Sequence, residues 1–154
     1  MGALLLAAIP LTALAQGAAP AACPATKAHT LPKGSGSTAV FSFGVKGGSL
    51  RPWSIKLVLD GSITSDGAST SRQQLHDPKN SLAGLLALAD VEGFFSMKKT
   101  VGCLGSAGNP DTSSHFISIH TSSGTKRVNE YGSCAGTAKF DQLWAVLQEA
   151  AGIQ

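Results

Sequence analysis

Residues 38 to 61 read TAVFSFGVKGGSLRPWSIKLVLDG, and their alternation decides the fold class. From Thr38 to Val45, Phe41, Phe43 and Val45 fall on one side of an extended chain and Val40, Ser42 and Gly44 on the other. Trp53 to Asp60 repeats the pattern, with Trp53, Ile55, Leu57 and Leu59 opposite Ser54, Lys56 and Val58. Two half-buried strands are expected, joined by the loop chemistry of Gly47-Gly48-Ser49-Leu50-Arg51-Pro52. Asp60-Gly61 is a hairpin signal into a short third strand near Ser62 to Ser65.

Toward the C-terminus, Asp77-Pro78 offers an N-cap followed by proline at the first helical position, and Leu82, Leu85, Leu86 and Ala89 recur at helical spacing. Gly93 closes that helix, and Phe94, Phe95 and Met97 anchor its exit. Gly102 to Ser113 is a glycine-rich loop. A second hairpin follows, with Ile117 and Ile119 inward, a turn at Ser122-Ser123-Gly124 and a return from Thr125 to Tyr131. Thr137 can cap a final helix whose Phe140, Leu143, Trp144, Leu147 and Ala151 share one stripe. The order of elements predicts an α+β domain, an antiparallel sheet of four to five strands with two helices packed on one face.

Toward the N-terminus, residues 3 to 15 form an apolar run too short to span a bilayer comfortably, ending in the small-x-small pattern Ala13-Leu14-Ala15. Residues 1 to 15 read as a signal peptide, although no Lys or Arg precedes the run. Residues 16 to 37, rich in Ala, Pro, Gly and Ser, read as a flexible tether, and 38 to 154 as one domain. A secreted or periplasmic, envelope-associated protein is expected, with no transmembrane segment in its mature chain. Cys23 follows Pro20-Ala21-Ala22. Its two alanines suit a lipid-anchored cysteine, but Pro20 stands where a Leu-like residue belongs; the alternative is an unpaired or cross-linked thiol.

With 43% apolar and 14% charged residues the chain lies outside the disordered class. Twelve Lys and Arg against nine Asp and Glu give a formal charge of +3. The cations occur in scattered pairs such as Lys98-Lys99 and Lys126-Arg127, without the concentrated stripe that displaces phosphate counterions, so no nucleic-acid partner is expected.

The candidate chemistry is sparse. Cys103 and Cys134 bracket the second hairpin, and an oxidising destination favours a disulfide between them. Closing a loop of about 30 residues stabilises by roughly 3 to 4 kcal/mol in the chain-entropy model. His115 and His120 are five apart on a strand, which sends them to opposite faces and argues against a shared metal ion. His29 lies in the tether and His76 ahead of a helix cap. Asp111 with His115 would make a two-ligand site only, so neither a metal nor another cofactor is expected. The chain has no Gly-x-Ser-x-Gly elbow, no spaced acid pair and no phosphate loop.

Phe41-Ser42-Phe43, Gly47-Gly48, Arg51-Pro52-Trp53-Ser54-Ile55 and Leu59-Asp60-Gly61, then a Leu-rich helix, Phe94-Phe95 and a second hairpin, form a recognisable order. The chain in this respect resembles small exported bacterial domains of unknown function, over most of residues 38 to 151. The resemblance implies a fold order and an envelope or secreted location, and it carries no activity. Where that pattern has Gly-x-Cys-Pro-aromatic in the first loop, this chain reads Leu50-Arg51-Pro52-Trp53, so a cysteine of the pattern and any pairing it served do not carry over.

The expected function is therefore a non-catalytic module that binds a protein or cell-envelope component. The face away from the helices would carry Val40, Ser42, Ser54, Lys56, Val58, Phe116, Ser118 and His120, with Phe116 and Val58 as an apolar centre and Lys56 and His120 as its polar rim. Two alternatives stand beside it. One is a small hydrolase-like enzyme using His115 or His120, marked by a histidine meeting an acid, Cys or Ser within hydrogen-bond distance. The other is a purely structural envelope protein.

Overall fold

The computed structural model describes residues 28–103, 113–132 and 134–153. The leader, Cys23 and the part of the glycine-rich loop that includes Asp111 lie outside the described residues. In chain order the elements are β1 (Ala39–Lys46), β2 (Trp53–Val58), β3 (Ile63–Asp66), α1 (Pro78–Val91), β4 (Thr100–Gly102), β5 (Ser114–Thr121), β6 (Gly124–Tyr131) and α2 (Ala138–Ala151). The α+β class and the two helices are as the sequence predicts. The strands form one six-stranded sheet in the order β3-β2-β1-β5-β6-β4.

That sheet corrects the expectation of four to five antiparallel strands. β4 adds an edge strand, and it runs parallel to β6, with Thr100 opposite Asn129 and Gly102 opposite Tyr131. Parallel neighbours need a long connection, so β4 has no hairpin turn to announce it. It is also three residues long and follows Lys98-Lys99, which leaves no alternation to read.

Register explains the layering. Phe41 stands opposite Leu57 and Ile119, and Phe43 opposite Ile55 and Ile117, so one face of the central strands is apolar throughout. Leu82, Leu85, Leu86 and Ala89 of α1, with Phe140, Leu143, Leu147 and Ala151 of α2, close over these residues in one buried cluster. Asp77 caps α1 from a left-handed backbone (φ 49°), its carboxylate accepting the Asn80 N–H at 3.5 Å, and Pro78 opens the helix. Val40 is a second correction. A bulge between Ala39 and Phe41 adds a residue to β1, and the displaced Val40 joins the core at 1% exposure instead of facing away. At Gly44 a Cβ would sit 2.1 Å from the Trp53 carbonyl oxygen, so close approach of β1 and β2 requires glycine there.

From residue 28 onward the expected tether is fastened to the domain. His29 Nδ1 lies 2.5 Å from Asp90 Oδ1, its backbone N–H donates to Asp90 Oδ2 at 2.9 Å, and its ring stacks on Phe95 with centroids 3.6 Å apart. Ser122 N–H donates to the Thr30 carbonyl at 3.0 Å, and Leu31 packs against the core. Ala, Pro and Gly content does not register such docking, because the ion pair and the ring stack join residues about sixty apart in sequence.

Candidate functional site

The face away from the helices holds Lys56, Phe116 and His120 as alternation requires, and Val58, opposite Ala39, lies on the same side of β2. The anatomy differs from an apolar centre with a polar rim. Val58 is 6% and Phe116 5% exposed. The Arg127 guanidinium covers the Phe116 ring at 4.0 Å from its centroid, and Arg127 Nε donates to Asn129 Oδ1 at 3.2 Å. What reaches solvent is polar and cationic. Across four strands, register lines up Lys56, Ser42, Ser118 and Arg127, two hydroxyls between two cations, and Thr64 extends the row beyond Lys56. Near one end, His120 Nδ1 lies 2.8 Å from Thr125 Oγ1. It lines a cavity of about 570 Å³ with Lys33, Ser122 and Ser123. Near the other end a dent of about 350 Å³ is bounded by Lys46, Trp53, Ser54, Asp66 and Phe116.

A second constellation sits beneath the helices, at the end of β5 and β6. Glu130 is 1% exposed, on the face that buries Ile117 and Val128 two residues away. Its Oε2 lies 2.9 Å from His115 Nδ1, while Oε1 has no partner. Removing a carboxylate from water is costly unless it is paired, so this half-satisfied group stands out among the core residues. With the His115 Nδ1 proton directed at the carboxylate, Nε2 is left as the open, acceptor edge of the ring. The His115 side chain is 38% exposed and stacks on Trp144 of α2 at 4.7 Å. Trp53 lies 5.8 Å from Trp144, so the two tryptophans of the chain meet beside this histidine. The hydrogen bond to His115 was legible only as an open possibility of geometry, since Glu130 reads as an unremarkable polar strand residue until register places it opposite His115.

Cys103 and Cys134 come together next to this corner, both as free thiols, so the expected disulfide is not formed in the structure. Cys103 follows β4; its N–H donates to the Tyr131 carbonyl at 3.3 Å and its thiol to the Gly132 carbonyl at 3.2 Å. Cys134 caps the 3-10 turn Ala135–Thr137, its N–H donating to Thr137 Oγ1 at 2.9 Å. Hydrogen bonding with the Cys134 thiol is the main reason that the Cys103 thiol is pushed up to about 11; desolvation and the carboxylates of Glu130 and Asp141 add to it. Such a thiol is a poor nucleophile at neutral pH.

Among the described residues no three His, Cys, Asp or Glu side chains gather as a metal site, and no helix is long and apolar enough to cross a membrane. Comparison with family models, with curated proteins and with solved structures finds no match to this chain.

Proposed function

We propose that the protein is an exported, non-catalytic binding domain that takes an acidic partner, a protein or a cell-envelope component, on the sheet face turned away from its helices. The observation that carries this reading is the row Lys56, Ser42, Ser118, Arg127. Cations spaced along a rigid sheet, with hydroxyl donors between them, suit repeated carboxylate, phosphate or sulfate groups. Export supplies the setting, from residues 3 to 15 and Ala13-Leu14-Ala15. On a sulfated-dextran column developed with salt, Lys56→Glu/Arg127→Glu should elute well before the parent, while Lys139→Glu on α2 should shift little. With Lys79→Glu added to Lys139→Glu, so that the helix control carries the same charge change, equal shifts for the two double variants would reduce the effect to net charge and sink the reading.

The pair His115–Glu130 favours a second reading, a small hydrolase-like enzyme in which the buried carboxylate orients the ring and steadies its imidazolium while Nε2 takes a proton from water. Hydrolysis of activated esters above the level of free imidazole, lost in His115→Gln, would support it. A rate no greater than that of imidazole would remove it.

A further inference from the structure

Two thiols flank the place at the end of the sheet where β4 packs against the 3-10 turn that opens α2, and each is fixed by separate backbone bonds. Cys103 is held by pairing along β6, through its N–H on Tyr131 and its thiol on Gly132. Cys134 is held as the cap of the turn that opens α2, through Thr137. The two cysteines therefore meet because β4 runs alongside β6, the parallel edge that no local sequence signal announces. Cys134 is exposed and Cys103 partly so, which leaves the pair open to a thiol-exchange reagent.

We infer that Cys103 and Cys134 are a closable pair, which a small disulfide such as oxidised glutathione converts to a cystine that clamps the start of α2 to the edge strand β4. One cysteine thiolate attacks a glutathione sulfur, breaking that S–S bond and releasing one glutathione. The second cysteine, its proton lost to solvent, attacks the mixed disulfide, forming the protein S–S bond and releasing the second glutathione. The protein loses two hydrogens and two electrons, and glutathione disulfide gains them. Cys103 resists deprotonation near neutrality, so closure is slow there and quickens as pH rises. α2 carries Trp144 against His115, so the clamp ties down the element that covers the buried carboxylate.

The inference stands apart from the binding reading, because closure depends on the thiols and not on the cationic face. Full-length protein carrying Cys23→Ser, treated with oxidised glutathione, should lose the mass of two hydrogens and yield one cross-linked peptide pair containing Cys103 and Cys134. Its Tm should rise by about 10 °C, a shift that Cys103→Ser and Cys134→Ser fail to show. Stable glutathione adducts on both cysteines, cross-links between two chains, or closure with no rise in Tm would each overturn the clamp.

Discussion

Beneath the helices, Phe43 and Ile117 pair at 0% exposure, yet two residues farther along β5 and β6 the same face buries Glu130 at 1%. On the opposite face Lys56 meets solvent, yet Phe116 is only 5% exposed. Each face thus carries residues of the other's chemistry, Glu130 on one and Phe116 with Val58 on the other. The difference between them lies in the cover. Glu130 is at the end of an apolar row, where half-exposed His115 gives it one hydrogen bond. Phe116 lies in a polar row, where the long Arg127 side chain folds over it. The side of the sheet sets a residue's direction, and its neighbours set its environment.

Truncation of an aromatic ring on each face should give the largest effects. Phe43→Ala should cost about 3 to 5 kcal/mol in urea unfolding, as for any closed core position. Phe116→Ala should fall at the low end, about 3 kcal/mol, because a flexible lid can settle into the space. A cost for Phe116→Ala below about 1 kcal/mol would show a surface ring, and the apolar-centre anatomy would regain its basis.

Smaller effects are expected at the buried carboxylate. His115→Ala should destabilise by about 1 to 3 kcal/mol, since it strips Glu130 of its partner. Replacing both with leucine should restore or exceed parent stability, as often happens when a buried ion pair gives way to apolar packing. If the double variant is instead as unstable as His115→Ala, the pair is a net stabilising element and its retention needs no functional reason.

On the open face, Arg127→Ala should cost about 1 kcal/mol through the lost cation–ring contact, whereas Lys56→Ala should be within about 0.5 kcal/mol of parent. Equal values would mean that Arg127 is no lid. The smallest effect belongs to the β2–β3 turn. The Ser62 hydroxyl and N–H hold the Asp60 carboxyl below its usual 3.8. A lowered folded-state value adds stability that is present above the unfolded value and lost as pH falls through the folded one. Asp60→Asn should therefore lower Tm slightly at neutral pH, and the gap to parent should close in strong acid. A gap that persists there would assign the effect to shape and not to charge.

Much of the fold was legible. Alternation in β1, β2 and β5 and helical spacing in α1 and α2 each reflect one local period against one apolar layer; α1 begins at Asp77-Pro78 and stops short of Gly93 as expected, and α2 follows Thr137, whose side chain makes no capping bond to the helix. Of the candidate site, the sequence placed Lys56, Phe116 and His120 on one face. It did not show Arg127 over Phe116, nor Glu130 on His115, because each depends on which strand lies next to which.

The helices, the strands other than β4, their order and the apolar side of each strand follow from the sequence alone, because they rest on periods of two or 3.6 residues and on turn residues a few positions apart, whereas the meeting of Cys103 and Cys134 rests on the pairing of β4 with β6. Only the tertiary structure decided the sixth, parallel strand, the bulge that turns Val40 inward, the docking of His29 on Asp90 and the meeting of Trp53, Trp144, His115 and Glu130. These depend on register and chain crossing between distant segments, and no local period encodes the identity of a residue's partner.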